Sequence, residues 1–407
     1  MKNLATTGAW PGNVGAEAVP SGHGGGQGRY VIRCLVPDLP QAEELLPWLA
    51  RIDANRWYTN GGPLLREFEQ RLGALMDGGS GASCVTLSSG MSALELGLHA
   101  LGVGAGKRVL LPALTFPATA LAVSRCGAEP ILGDVAADSW TMTPTIAREA
   151  LARERIDAVM PVACFGFPLP AAEWDEFVRE TGVAVLADAA AALGAQPLGE
   201  RVHWAFSLHA TKPMGVGEGG LFVTRDSALA EVVRRLANFS FDHGLVQSSH
   251  GTNAKLSEYA AAVGLAQLER WPRLLERRRV VFDDYRRRLL ALPQVALQPL
   301  VTPPATLSVR LPSDAKAVAG VLAQSGIETR RWYLPPLTEH PAFREARRIG
   351  PAGSARLPVT EALATSLLGL PFHSRLTGDD VATVVSALAA LLPAARAGDL
   401  AAPAPAK

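Results

Sequence analysis

Cysteine, excess charge and long apolar runs are all scarce in this sequence. Its 407 residues hold four cysteines, Cys34, Cys84, Cys126 and Cys164, with no CxxC pair among them. Such spacing predicts buried free thiols in a reducing compartment. Basic and acidic side chains number 39 and 38, so the net charge is +1. That balance argues against binding a nucleic-acid polymer, which requires a basic face to displace counterions. No stretch of roughly 20 apolar residues escapes a charge or a Pro/Gly break, so no membrane span is expected. The opening MKNLATTGAWPGNVG has one Lys and no apolar core. It is not read as a secretory signal, and a cytoplasmic protein is the expectation. No internal repeat is visible.

What the chain does have is length and apolar content. Hydrophobic residues make up 48%, with 39 Gly and 30 Pro. The hydrophobic share excludes wholesale disorder, and the length calls for one large or two medium domains. Residues 1–28 form a Gly-rich segment and residues 393–407 an Ala/Pro tail, both too poor in burial surface to order themselves. Residues 29–275 alternate short buried strands with helices. Arg108-Val-Leu-Leu, Ala158-Val-Met-Pro-Val and Val183 to Asp188 read as strands; Ser92 to Leu101, Leu121 to Cys126 and Glu173 to Thr181 read as helices. That alternation predicts a large α/β domain with a mostly parallel sheet covered on both faces. Residues 276–392 read as a smaller C-terminal α/β domain. It has a strand at Thr306 to Arg310 and helices at Ala315 to Ser325 and Asp379 to Leu391. A long helical stretch, Ser257 to Leu290, leads into it and is interrupted by Pro272.

In an open parallel sheet, ligands gather at the carboxyl ends of the strands. After the strand around Cys84 comes Ser88-Ser89-Gly90-Met91-Ser92-Ala93 and then a helix, which leaves backbone N–H groups free for a phosphate. The same residues are also ordinary helix-entry residues. Asp188 ends the next informative strand and is followed by a run of Ala. It is either a helix N-cap or the partner of a protonated ring nitrogen. Lys212 follows in Ser207-Leu-His-Ala-Thr-Lys212, before the glycine-rich Gly215 to Gly220. Taken singly, each feature has a structural explanation. Jointly, a Lys for a Schiff base, an Asp for a pyridinium nitrogen and a phosphate cup at a helix start are the requirements of pyridoxal phosphate. A dinucleotide-binding reading of Gly215 to Gly220 lacks the strand–loop–helix context it needs.

With these motifs in order, the chain resembles the DegT/DnrJ/EryC1/StrS family of pyridoxal-phosphate-dependent sugar aminotransferases, of fold type I. The matching segments are Trp57-Tyr-Thr-Asn-Gly-Gly-Pro63, Ser89-Gly90-Met-Ser-Ala-Leu94, Pro112-Ala-Leu-Thr-Phe116-Pro-Ala-Thr119, Asp188-Ala-Ala190, Ser207 to Lys212, Gly217-Glu-Gly-Gly220, Gly251-Thr-Asn253-Ala-Lys-Leu-Ser-Glu258 and Leu370-Pro-Phe-His373. The resemblance implies that Lys212 carries the cofactor and shuttles a proton, and that Asp188 keeps the ring nitrogen protonated. It further implies that Phe116 stacks on the ring. Gly90, Met91, Ser92 and Ser207 would hold the phosphate, and Asn253 would reach the phosphate of a neighbouring subunit in a homodimer. Two positions depart from the family pattern. Met91 stands where Thr is usual, and Ala191 where Gln or His is usual after Asp-Ala-Ala. Relatives with His in place of the Lys are dehydratases, so Lys212 implies transamination. The implied reaction moves an amino group from an amino acid, glutamate by expectation, to a nucleotide-linked keto-deoxysugar such as a 4-keto-6-deoxyhexose. Arg330 and Arg331, in a segment that matches one near the family's sugar site, are candidates for a diphosphate or the donor carboxylate, or else a structural surface pair. A non-enzymatic cofactor-binding sensor on the same fold is the alternative.

Overall fold

A computed structural model describes residues 31–78 and 81–393; the expectations for 1–28 and for nearly all of the tail lie outside these residues. In chain order the large sheet receives β1 (Ser83–Leu87), β2 (Arg108–Pro112), β3 (Glu129–Gly133), β4 (Ala158–Val159), β5 (Ala184–Asp188), β6 (His203–Ser207) and β7 (Gly220–Thr224). A hairpin of β8 (Phe241–Asp242) and β9 (Leu245–Val246) follows, then β10 (Ala296–Leu297), β11 (Leu307–Arg310), β12 (Arg348–Ile349) and β13 (Leu367–Leu370). The helices are α1 (Ala42–Asn55), α2 (Pro63–Asp77), α3 (Gly90–Ala100), α4 (Pro117–Arg125), α5 (Pro144–Leu151), α6 (Ala171–Thr181), α7 (Ser227–Leu236), α8 (Glu258–Leu289), α9 (Ala315–Gln324), α10 (Pro358–Ser366) and α11 (Gly378–Leu391).

The eight-stranded sheet runs β1-β7-β6-β5-β4-β2-β3-β12. All neighbours are parallel except β7, which is antiparallel to both β1 and β6. Two reversals cancel, so β1 points the same way as β6. The central strands bury nearly every residue because helices cover both faces, as their unbroken apolar runs require. One face packs against α1, α2, α6 and α8 through Leu64, Phe68, Trp174, Trp204 and Leu265. The other meets α3, α4 and α7 through Leu94, Val123, Phe222 and Val233. Helix α3 lies close on the sheet because position 97 is Gly; a Cβ there would meet Leu186 and Phe222 at 2.9 Å.

A three-stranded antiparallel sheet, β10-β11-β13, carries a separate core with α9, α11 and the second half of α8. Ile32 joins this core and bridges Ile327. Contrary to the expected interruption, α8 runs 32 residues straight past Pro272. Proline costs one backbone hydrogen bond, and the buried Trp271 and Leu274 beside it keep the helix seated. The strand β12, from the C-terminal third of the chain, extends the large sheet alongside β3.

Candidate active site

Because β1, β2, β4, β5 and β6 all point one way, their carboxyl ends deliver Ser88, Ala113, Asp188 and Leu208 to one edge of the sheet. The loop after β6 folds back before β7 begins: Leu208 N–H donates to Gly219 O and Ala210 N–H to Gly217 O, at 2.9 and 2.8 Å. Lys212 stands at its tip.

Asp188 is 5% exposed. Burial raises its carboxyl pKa, and three groups pull the other way: the Thr119 hydroxyl, the Ala190 N–H and the Lys212 ammonium. Thr119 Oγ1 donates to Asp188 Oδ2 at 2.7 Å, and Ala190 N–H to Oδ1 at 3.1 Å. Lys212 keeps some exposed surface, yet its amine is enclosed enough that burial lowers its pKa, against the opposing pull of Asp188. A buried lysine made easier to deprotonate is a better nucleophile.

The anion cradle is built by close packing. Ser89 caps α3, its Oγ accepting the Ser92 N–H at 3.0 Å. The Ser92 hydroxyl lies between Ser88 Oγ and Ser89 Oγ, at 3.1 and 2.9 Å. That commits the Ser92 N–H and leaves those of Gly90 and Met91 at the helix start, where the dipole favours an anion. Two glycines permit the approach. A Cβ on Gly90 would meet Ser207 Cβ at 3.0 Å, and one on Gly220 would meet the Ser89 carbonyl oxygen at 2.0 Å. Thus Gly90, Met91, Ser92 and Ser207 are brought together. Ser207 Oγ accepts the His209 N–H at 3.2 Å, which leaves its own proton to donate.

Phe116 is 42% exposed, and its ring meets Tyr333 edge-on at 6.1 Å. Tyr333 in turn stacks on Phe165 at 5.1 Å. Asn253 is exposed and bridges Asn238 through the backbone; the neighbouring Ala254 carbonyl accepts the Ser88 N–H at 2.7 Å, which ties this segment to the cradle. Arg330 is paired to Glu328 at 2.5 Å, and Arg331 donates to the Ala364 carbonyl, so both guanidiniums already have protein partners. Ala191 is buried, and its carbonyl stands 2.7 Å from where a Cβ on Gly166 would sit. Sequence reasoning had no role for Thr115, Thr119 or Tyr333. The available signal was that Thr119 follows Phe116 by one helical turn at a strand's carboxyl end.

These residues fit pyridoxal phosphate on their own chemistry. The buried carboxylate has two protein donors and further lone pairs open, an amine with a lowered pKa lies within its electrostatic reach, and two glycines open a cradle at a helix start. Fold and site together define a pyridoxal-phosphate-dependent aminotransferase.

The sequence signature of the DegT/DnrJ/EryC1/StrS aminotransferase family matches residues 41–389, and the chain belongs to that family. It is 34% identical over 386 residues to Protein Rv3402c of Mycobacterium tuberculosis (strain ATCC 25618 / H37Rv), covering 86% of this chain and 88% of that one. It is 33% identical over 356 residues to the dTDP-3-amino-3,4,6-trideoxy-alpha-D-glucose transaminase of Streptomyces venezuelae, covering 84% and 90%. Among solved structures it resembles DesI, determined in the presence of its TDP-sugar product, with a TM-score of 0.79 and 32% identity over 88% of this chain and 93% of that one. Among the described residues no helix is long and apolar enough to cross a membrane.

Proposed function

We propose that this aminotransferase moves an amino group from an amino acid, L-glutamate, to a nucleotide-linked keto-deoxysugar, a 4-keto-6-deoxyhexose being the form favoured. The observation that carries the reading is the placement of the buried Asp188, held by Thr119 and the Ala190 N–H, on the same carboxyl edge of the sheet as the loop that bears Lys212. The sugar half rests on relatives named for dTDP- and UDP-linked sugars, and the 4-keto form on those named dTDP-4-amino-4,6-dideoxy-D-glucose transaminase.

Each residue has a task. Pyridoxal phosphate supplies an aldehyde that condenses with amines and a protonated ring that draws electrons from the bond being broken. Lys212 Nζ holds the cofactor at rest. As a free amine, the same Nζ would be the group placed to accept and return a proton, as general base and acid. Asp188 holds the proton on the ring nitrogen. The N–H groups of Gly90 and Met91, with the hydroxyls of Ser92 and Ser207, bind the phosphate. Phe116 presents an open ring face for stacking.

Asn253 serves the site of a second copy. Support comes from an exposed apolar group tied to the same segment: Phe239, whose N–H donates to the Thr252 carbonyl, with Phe241, Leu245 and Val246 of the β8–β9 hairpin. Four buried free thiols suit the cytoplasm.

The test is a spectroscopic half-reaction. Holoenzyme is treated with L-glutamate and the loss of its visible band recorded; a panel of keto-sugar nucleotides is then tested for return of the band. Return with a 4-keto-6-deoxyhexose supports the reading. Loss with glutamate but no return with any sugar removes the sugar assignment. A protein that binds cofactor but ignores every amino donor would instead be a sensor.

A further inference from the structure

Behind Asp188 lies a short chain of buried hydroxyls. Thr119 is fully buried and Thr115 is 2% exposed. Their Oγ1 atoms are 2.7 Å apart, and Thr119 Oγ1 is 2.7 Å from Asp188 Oδ2. Thr119 Oγ1 also lies 3.2 Å from the Phe116 carbonyl. A hydroxyl has one proton to give. The shorter contact to the anionic acceptor takes it, since hydrogen bonds to charged groups are the stronger. Thr119 must therefore accept from Thr115, and the chain runs in one direction: Thr115 to Thr119 to Asp188.

That direction has a consequence for the carboxylate. Oδ2 is held by Thr119 and Oδ1 by the Ala190 N–H, so each oxygen has its own donor and the two bonds together favour one orientation of the carboxyl plane. A protonated Asp188 would reverse this bond, with the Thr119 hydroxyl accepting from Oδ2 and turning its own proton to the Phe116 carbonyl, so the direction from Thr115 to Asp188 belongs to the ionised carboxylate. Each threonine is β-branched and stiff at χ1, and Thr119 sits in the first turn of α4, whose start also carries Phe116. One helix start thus presents the stacking ring and the hydroxyl that orients the acid.

We infer that Thr119, backed by Thr115, is a positioning residue that holds Asp188 as an oriented carboxylate toward the cofactor's ring nitrogen. The inference rests on the proposed contact between Asp188 and that nitrogen. Thr119 touches neither substrate nor cofactor in this account; it acts through Asp188.

Two cofactors separate orientation from mere support of the fold. Apo-protein is titrated with pyridoxal phosphate and with its analogue in which C–H replaces the ring nitrogen, following quenching of tryptophan fluorescence. Wild type is expected to prefer pyridoxal phosphate. Thr119→Val is expected to weaken binding of pyridoxal phosphate about tenfold, the size of a lost hydrogen bond to a charged group, while binding of the analogue changes less than about twofold. Thr119→Ser keeps the hydroxyl and restores the preference. If Thr119→Val does not fold by thermal melting, Thr119→Ala is used, with the same expectation. Equal weakening for both ligands, or no weakening, overturns the role of Thr119 while leaving that of Asp188 standing. A wild type that binds both ligands alike overturns the Asp188 contact itself, and the Thr119 inference with it.

Discussion

Glu258, the first residue of α8, closes the N-terminus of α2 at Leu64. Its carboxylate accepts the Leu64 and Leu65 N–H groups at 2.9 and 2.8 Å, and the side chain is fully buried. Helix α2 has only Gly62 as its own N-cap, with no side-chain cap bond. Removing the carboxylate in Glu258→Ala strands two buried donors and is expected to cost on the order of 3 kcal/mol. Glu258→Gln keeps an acceptor oxygen and loses less. Urea unfolding ranks the three proteins; equal stabilities would show that the contact carries no net energy.

Asp188 trades stability for chemistry. Burial places its folded pKa above that of the unfolded chain. Stability from such a group is full below the unfolded pKa and is lost as pH rises through the folded one. At neutral pH the ionised carboxylate is thus a burden, and apo Asp188→Asn should melt at a higher temperature than apo wild type. The gap should close as the pH is lowered toward 3, while transamination by the variant falls sharply. A lower melting temperature for the variant at pH 7 would contradict this.

For Lys212 the sign is opposite. Burial lowers its pKa, so the neutral amine appears at lower pH than for an exposed lysine, near 10.4. The rate at which apo-protein captures pyridoxal phosphate should rise with pH and reach its midpoint below that value. Lys212→Ala should form no covalent adduct at any pH. A midpoint at or above the ordinary lysine value would count against an enclosed amine.

Gly220 lets β7 start beneath the cradle, where a Cβ would sit 2.0 Å from the Ser89 oxygen. Gly220→Ala must push Ser89 and Gly90 away from Ser207, so cofactor affinity and stability should fall together. Gly320→Ala is the contrast. Nothing lies within 4 Å of a Cβ there, inside α9. It should add about 0.5–1 kcal/mol from helix propensity and leave affinity unchanged. Equilibrium binding and thermal melts on both variants decide.

If Asn253 serves the neighbouring subunit, inactive Lys212→Ala and weakened Asn253→Ala proteins should complement when mixed. A hybrid dimer would hold one site with both defects and one with neither. Activity of the exchanged mixture well above the sum of the parents is the expected result; no recovery after verified exchange would sink the shared site.

Much of this was readable from local sequence. The strands β2 and β5 are short apolar runs, α3 precedes β2 and α4 and α6 lie between the two, so the alternation announced the parallel sheet. Asp188 and Lys212 are close enough along the chain for their joint pattern to stand out. The unread parts depend on distant pairings. Thr119 meets Asp188 across 69 positions and Glu258 meets Leu64 across 194. No local periodicity reports such contacts. Pro272 misled for a related reason: its cost is local, while the packing that holds α8 together comes from other elements.

The short edge strand β12 has a meaning for the order of synthesis. Seven of the eight strands of the large sheet are complete once Thr224 has been made, yet the outer edge of β3 stays open until Ile349 follows. A nascent or truncated chain ending before that point presents unpaired β3 backbone to its surroundings, the kind of edge that recruits strands from other molecules. The last third of the chain therefore acts as a late-arriving guard for a sheet built long before it.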